Sequence, residues 1–377
     1  MNFMTSKPSV GLVIRTKDVE LLAIRGARVV ARVAVPITGH ERSHLAQAIQ
    51  QAVEVSGLKI GKLAVAVPTR DVLLRYFVMP SLPKAEWETA IQFEVRKYVP
   101  FKTETLVWNY HAMEVKEPQK LEVIFTGIPR EGFDEIHSAL AEAGIQPTRM
   151  ESRSVSLARL TASTVRHAAM APGDFVCLVD LEEEEAHLVI TRAGVPYLTR
   201  DISLSSQEPK APDPVVKASQ TSDAAPGVER LFSELRMSIG FFTREHPWAT
   251  VTKVILVGNE ELAESWHQSL GEQLRCPVEI GRELLGAQGA SRLPLSFAAA
   301  AGLVRARQGR DGTALDFFKR SLVKSHRESP RSTTAPATDL AEQLKSPQIV
   351  AITGVAVGVL MALSLVGSRQ VAMERLR

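Results

Sequence analysis

Apolar positions recur along this chain with two periods, and the places where one gives way to the other mark its elements. VGLVIRT (Val10 to Thr16), VELLAIR (Val19 to Arg25) and VVARVAVP (Val29 to Pro36) are short runs rich in Val, Leu and Ile, parted by tight turns. They predict three meandering strands. Leu45, Ile49 and Val53 then recur every four residues, which predicts a helix over Glu41 to Ser56, and KLAVAVP (Lys62 to Pro68) returns to strand. VLLRYFVMP (Val72 to Pro80) is a further strand. The helix after it starts near Pro83, a residue suited to a first helical turn; it carries Trp87, Ile91, Val95 and Tyr98 on one face and is stopped by Pro100. TLVWNYHAMEV and KLEVIFTGIP read as a hairpin turning at Glu117 and Pro118. REGFDEIHSALAEAGI reads as an amphipathic helix ending at Gly144.

The second half opens in the same way, with three strands, DFVCLVDL, EAHLVITRAG and VPYLTRDISL. Residues 204–227 are rich in Pro, Ser, Ala and Lys, with Pro209, Pro212, Pro214 and Pro226 among them, and read as a mobile loop. Leu231, Leu235, Ile239 and Phe242 mark the inward face of a helix over Val228 to Glu245. TKVILVGN is a strand entering a turn, ELAESWHQSLGEQL its helix, and LPLSFAAAAGLVRAR an alanine-rich terminal helix.

Beyond these elements lies a different kind of segment. Residues 349–367, IVAITGVAVGVLMALSLVG, carry no charge. As a helix they would span about 28 Å, close to the hydrocarbon thickness of a bilayer, so a single transmembrane helix is expected. Gly354, Gly358 and Ala362 would form a small-residue ridge along it, suited to pairing with a second helix. Residues 319–348 before it form a basic, Ser-, Thr- and Pro-rich tether, and residues 368–377 a short basic tail. The tether places the N-terminal mass on the cytoplasmic side of a bacterial inner membrane, in a single-pass arrangement. With only ten residues after the span, the exported side is either a stub or the start of something longer.

Composition narrows the function. At 377 residues, 45% hydrophobic and 23% charged, the chain can fill two globular cores. The formal charge of +3 resides in tether and tail, leaving residues 1–318 slightly acidic, which argues against nucleic acid as partner. Cys177 and Cys276 form no CxxC pair, the nine histidines show no HxxxH or HExxH spacing, and no GxSxG or P-loop occurs. Catalysis and metal binding are therefore not expected. His111, His137 and His187 read as surface or satisfied core residues, and Trp87 and Phe93 as helix packing.

The run from Met79 to Phe101, MPSLPKAEWETAIQFEVRKYVPF, with Glu94 in mid-helix and a closing aromatic-Val-Pro-Phe, resembles the PilM family of type IV pilus assembly proteins. EAGIQPTRMESRSVSLARL (Glu142 to Leu160) is similar to that family's return from an insertion into the first domain's long helix. The resemblance implies an α/β, actin-like (ASKHA) two-domain fold with an inserted ferredoxin-like subdomain, an arrangement the division protein FtsA shares. The domains would be 9–170, with the insertion at about 71–148, and 173–318. Joined to a membrane helix, such a chain also resembles GspL of type II secretion and fused PilM-PilN proteins.

In actin-like ATPases two hairpin turns hold the phosphates on backbone N–H groups, which requires small residues. Here the strand containing Gly11 runs into Arg15, Thr16 and Lys17, and Asp180, which matches the family aspartate, is followed by Glu182 to Glu185. Four carboxylates repel a triphosphate by about 1 kcal/mol per close pair even in water. The adenosine-side turn keeps Gly258 but has Asn259 where a second glycine is usual. No cofactor is expected, with ATP and magnesium as the alternative. The four glutamates form a solvated turn, a cation site or an acidic docking patch. In PilM systems a partner's Asn-Leu-Leu-Pro peptide docks beside the insertion. ALDFFKRSL (Ala314 to Leu322) stands where a fusion would place that segment, which makes Phe317 and Phe318 the expected partner or tether contact. The resemblance implies a non-enzymatic platform that links a motor ATPase to other inner-membrane and periplasmic parts, as a homodimer or heterodimer. An actin-like ATPase or kinase and an FtsA-like filament protein are the alternatives.

Overall fold

A computed structural model describes residues 7–39, 41–100, 102–115, 119–162, 173–205, 226–285, 293–306 and 315–318. The chain divides into two units, Met1–Lys324 and Ser325–Arg377, and all described residues lie in the first. The expected tether, the membrane span with Gly354, Gly358 and Ala362, and most of the Pro-rich loop lie outside the described residues. Among the described residues no helix is long and apolar enough to cross a membrane.

The repeated three-strand opening seen in the sequence becomes two sheets of the same plan. In the first, β1 (Ser9–Ile14), β2 (Asp18–Arg25) and β3 (Arg28–Pro36) pair antiparallel, and β4 (Lys62–Val67) and β8 (Gln146–Ser152) continue parallel to β1, in the order β3-β2-β1-β4-β8. In the second, β9 (Asp174–Leu181), β10 (Glu185–Arg192) and β11 (Val195–Ser203) repeat the meander, with β12 (Thr250–Gly258) and β13 (Val278–Ile280) parallel to β9. Parallel neighbours require crossovers. In the first lobe α1 (Arg42–Ser56) provides one, burying Ala46, Ala48, Ile49 and Ala52. It ends at Gly57, whose φ of 65° suits the left-handed cap. In the second, α5 (Pro226–Glu245) and α6 (Glu260–Leu274) do the same.

The insertion is built on a small sheet. β5 (Leu73–Pro80), β7 (Lys120–Pro129) and β6 (Leu106–Val115) form a three-stranded antiparallel sheet covered by α2 (Trp87–Glu94), whose Ile91 packs with Val95, Trp108 and Phe125. The second helix expected there, α3 (Arg130–Glu142), packs between the insertion and the first lobe: Phe133, Ile136 and Leu140 join the cluster containing Leu12 and Ile49. Its apolar stripe packs chiefly on α1, and it touches β8 as well as β6 and β7 of the small sheet, with Val107 and Ile128 in the same cluster. Phe93, expected to pack, is 68% exposed, because α2 turns Ile91 and Val95 inward instead. The insertion also touches the second lobe, Tyr76 lying 5.0 Å from Tyr197 and 4.9 Å from His246, ring centre to ring centre.

Two helices tie the lobes together. α4 (Arg153–Leu160) leaves β8 and packs on β10 and β11, and α8 (Ala298–Val304), next to α7 (Arg282–Leu285), packs back on β1, β2 and β4. They cross so closely that a Cβ at Gly302 would lie 1.8 Å from the Ser156 carbonyl oxygen, which explains the run of alanines before it. Arg159 crosses the same junction, donating to both oxygens of Glu151 and to the Gly302 carbonyl.

Candidate functional site

The β1–β2 and β9–β10 turns meet at the mouth of the cleft between the lobes. Each is tight: Arg15 N donates to Asp18 O at 2.9 Å, and Glu182 N to Glu185 O at 2.8 Å. Between them lie two guanidinium groups. Arg15, expected to obstruct the backbone, turns inward: Nη2 donates to Ser296 O at 2.5 Å, Nη1 reaches Glu182 Oε1 at 3.2 Å, Nε lies 3.3 Å from Glu20, and Nη2 3.8 Å from Asp180. Arg153, at the start of α4, donates twice to Asp180 Oδ2, at 2.6 and 2.9 Å, and pairs with Glu182 Oε1 at 2.5 Å. Asp180 is 0% exposed at the end of a strand buried on both faces, a position an isolated carboxylate could hold only at large cost. The arginines remove that cost by pairing.

The charges follow from this packing. Burial raises the pKa of Asp180, but Arg153 and Arg15 outweigh it and hold the group below the usual carboxylate range. Burial likewise works against both arginines, and their acidic neighbours outweigh it, so both stay charged. For Glu20 burial wins, and its carboxyl is pushed up to about 8. At the rim Thr16 donates to Glu185 at 2.8 Å, and exposed Lys17 lies 2.8 Å from Glu184. Three of the four glutamates are thus one half of a clasp, with Glu183 beside them. The cavity left over has a volume of about 320 Å³, and its lining includes Glu182 to Glu185. Among the described residues no group of acids, histidines or cysteines could hold a metal.

The glycines of the expected nucleotide site have other duties. A Cβ at Gly11 would come within 2.9 Å of Val304 and 3.0 Å of Leu303, so this glycine admits α8 to the sheet and does not face a phosphate. Gly258 has φ +89°, and a Cβ there would meet Leu181 O at 2.2 Å and Asp180 Oδ1 at 2.5 Å. Asn259 caps α6, its side-chain oxygen accepting from Leu262 N at 3.1 Å.

Further along the junction Ser154 lies 2.9 Å from His187 Nε2, His187 Nδ1 lies 2.6 Å from Asp201, and Thr69 donates to Asp201 at 2.8 Å. The order is that of a hydrolase triad. Ser154, within α4, and His187 are each 3% exposed, however, so the chain of hydrogen bonds links the lobes with its Ser-His pair buried, and only its Asp201 end reaches the surface.

On the outer side of the first lobe, Leu315 to Phe318 lie against α3, β8 and the insertion. Phe317 is 0% exposed and joins the cluster of Phe133, Ile136 and Leu140. Half-buried Phe318 stacks on His137 at 6.0 Å, and His137 on Phe133 at 6.1 Å. β8 is an edge strand, whose outward N–H groups need partners. Asp316 Oδ1 accepts from Met150 N and from Phe318 N, both at 3.0 Å, and Asn109 of β6 donates to the Asp316 carbonyl at 2.9 Å.

Two like sheets facing across a cleft, joined by crossing helices and carrying an inserted sheet in the first lobe, define an actin-like α/β protein whose phosphate turns hold side-chain cations. Residues 20–208, just over half of the chain, match the family described as Type IV pilus assembly protein PilM, and the chain belongs to that family. Among solved structures it is similar to the "PilM-PilN type IV pilus biogenesis complex", with 19% identity, a TM-score of 0.61, and coverage of 78% of this chain and 97% of that one. It is also similar, at 9% identity and a TM-score of 0.46, to the cytoplasmic domain of EpsL, an inner membrane component of the type II secretion system of Vibrio cholerae, covering 80% of this chain and 96% of that one. No curated protein sequence matches the chain.

Proposed function

We propose that this protein is a non-enzymatic platform component of a type IV pilus or type II secretion machine, anchored in the bacterial inner membrane by residues 349–367 and relaying the work of a motor ATPase to periplasmic parts. What carries the reading is the filling of the cleft: Arg15 and Arg153 stand between the two phosphate turns, paired to Asp180, Glu20 and Glu182. A nucleotide would have to displace two buried ion pairs and then face the Glu182 to Glu185 carboxylates. The similar PilM-PilN structure is a complex of two proteins. In this chain the Leu315 to Phe318 segment supplies, in the same polypeptide, a short anchored peptide leading toward the membrane segment. That favours a platform fused to its own tether, working beside a motor ATPase and other membrane partners as a homodimer or heterodimer.

The test is isothermal titration of the full-length chain with ATP and magnesium. Binding no tighter than about 1 mM is expected, corresponding to about 4 kcal/mol. Micromolar binding that disappears in Asp180→Ala would overturn the reading and restore the ATPase or kinase alternative.

A further inference from the structure

The cleft holds more carboxyl groups than its arginines can neutralise. Arg15 and Arg153 face Asp18, Glu20, Asp180 and Glu182, two cations against four acids, in a space closed by both lobes. Glu20 is deeply buried and poorly provided for. It is 3% exposed, its single ion contact is Arg15 Nε at 3.3 Å, and Oε2 is buried without a hydrogen bond. Asp18 Oδ1 is buried without one as well. A surplus of buried negative charge is relieved either by parting the lobes or by protonation. Behind the cleft the lobes are joined by the crossing of α4 and α8, and to the side by the Tyr76 and Thr69 contacts, while the contacts between the two turns are side-chain ion pairs and hydrogen bonds that can part locally.

We propose that closing this cleft takes up one proton on the Glu20 carboxyl, so that the two lobes part more readily as pH rises. Where actin-like ATPases close on a nucleotide, this protein would close on a proton held beside a fixed pair of arginines. The groups facing Glu20 are Arg15 and Asp18 from its own hairpin, Asp180 and Glu182 from β9 and its turn, and Arg153 from α4. Lys17 with Glu184, and Thr16 with Glu185, close the rim. Among these, burial pushes Glu20 up to about 8, against the pull of Arg15 and with Asp18 and Asp180 adding to the rise. With the lobes apart, Glu20 is solvated and returns to the ordinary carboxylate value near 4.5.

The sign of the effect follows. Below the ordinary value both forms hold the proton, and closure does not depend on pH. Between that value and about 8 the closed form holds a proton that the open form has lost, so closure weakens about tenfold per pH unit. Above it both have lost the proton, and the dependence flattens.

Hydrogen exchange of the Arg15 to Asp18 and Glu182 to Glu185 turns, corrected for intrinsic exchange and run on the full-length chain between about pH 6 and pH 9, reads the open population directly. Wild-type protein should open about tenfold more per pH unit up to about pH 8, and Glu20→Gln should be flat. A flat wild-type profile, or a slope kept in Glu20→Gln and lost in Asp18→Asn, overturns the proposal. If Glu20→Gln does not fold, carboxyl-carbon NMR of wild-type protein decides. A Glu20 midpoint near 8 supports the coupling, and one in the ordinary carboxylate range overturns it.

Discussion

At the cleft, Arg15 and Arg153 reach carboxylates at distances of 2.5 to 3.8 Å; at the tail, Phe317 is sunk among Phe133, Ile136 and Leu140 with a single carboxylate beside it. The first contact is made of charge and joins turns and a helix end whose backbones are ordered by their own sheets and helix. The second is made of apolar area and must also order the backbone of a short segment, at about 1 to 2 kcal/mol per residue. They should therefore break differently. A buried ion network fails abruptly when one partner is removed, because the remaining charge is stranded, and tolerates replacement of the whole set. An apolar anchor weakens with every carbon removed, and when it lets go it releases only the segment it holds.

The largest effect is expected from Arg153→Ala. It strands Asp180, fully buried, and removes half the neutralisation of Glu182, so global stability in chemical denaturation should fall by about 3 to 5 kcal/mol. Arg153→Met combined with Asp180→Leu should recover most of that loss. Lys17→Ala, at the exposed rim, should leave the midpoint where it is. If the double variant is as damaged as Arg153→Ala, the cleft is held by packing around these residues and not by their charge.

Phe317→Ala comes next and should separate the two contacts. Truncating a fully buried Phe costs about 3 to 5 kcal/mol where the site cannot empty itself. This segment can undock, so the loss is capped by its own docking energy. Trypsin cleavage at Lys319 and Arg320, the first basic residues after it, should accelerate, while the denaturation midpoint of the lobes moves less than in Arg153→Ala. Phe318→Ala, at a half-buried stacked ring, should have a smaller effect in the same direction. An unchanged digestion pattern would show that the pair does not anchor the chain.

How far the two contacts were legible in the sequence also differs. Phe317 and Phe318 stood out as an aromatic pair ahead of a polar tether; Phe317 is fully buried and Phe318 half-buried. The repeated three-strand openings gave both sheets, since each run is a buried stretch bounded by turns. Arg153 was not singled out, because nothing near it in the sequence needs a cation. Its partner Asp180 is 27 residues away and meets it only once α4 has carried the chain across the junction. Glu20 left a signal that went unused: a lone carboxyl inside VELLAIR, where the neighbours on both faces are apolar. A charged residue in a strand buried on both sides implies a buried partner. The packing of α3 is hard to read from sequence for a related reason. The amphipathic pattern of α3 shows that it buries a face, and leaves open which of two sheets receives it.

The smallest effect should come from Asp316, where the two contacts overlap: a carboxylate within the apolar anchor. Oδ1 accepts from Met150 N and Phe318 N, while Oδ2 is buried without a hydrogen bond, and burial raises the carboxyl's pKa in spite of the two N–H donors. Asn keeps an acceptor for both N–H groups and removes the charge that burial penalises. Asp316→Asn should therefore dock at least as firmly as wild type at neutral pH, with trypsin cleavage no faster. Because the docked pKa is raised, wild-type docking should tighten as pH falls from neutral through the carboxylate range, and the Asn variant should lose that dependence. Asp316→Leu is the contrast. It keeps apolar volume but leaves the edge N–H of β8 and the Phe318 N–H without their acceptor, at about 1 to 3 kcal/mol, so its segment should be cut faster than wild type. If Leu docks as well as Asn, the edge of β8 needs no partner and the apolar contact alone holds the tail. If Asn is cut as fast as Leu, the carboxylate's charge is what the two N–H groups require, and the tail is held in the same manner as the cleft.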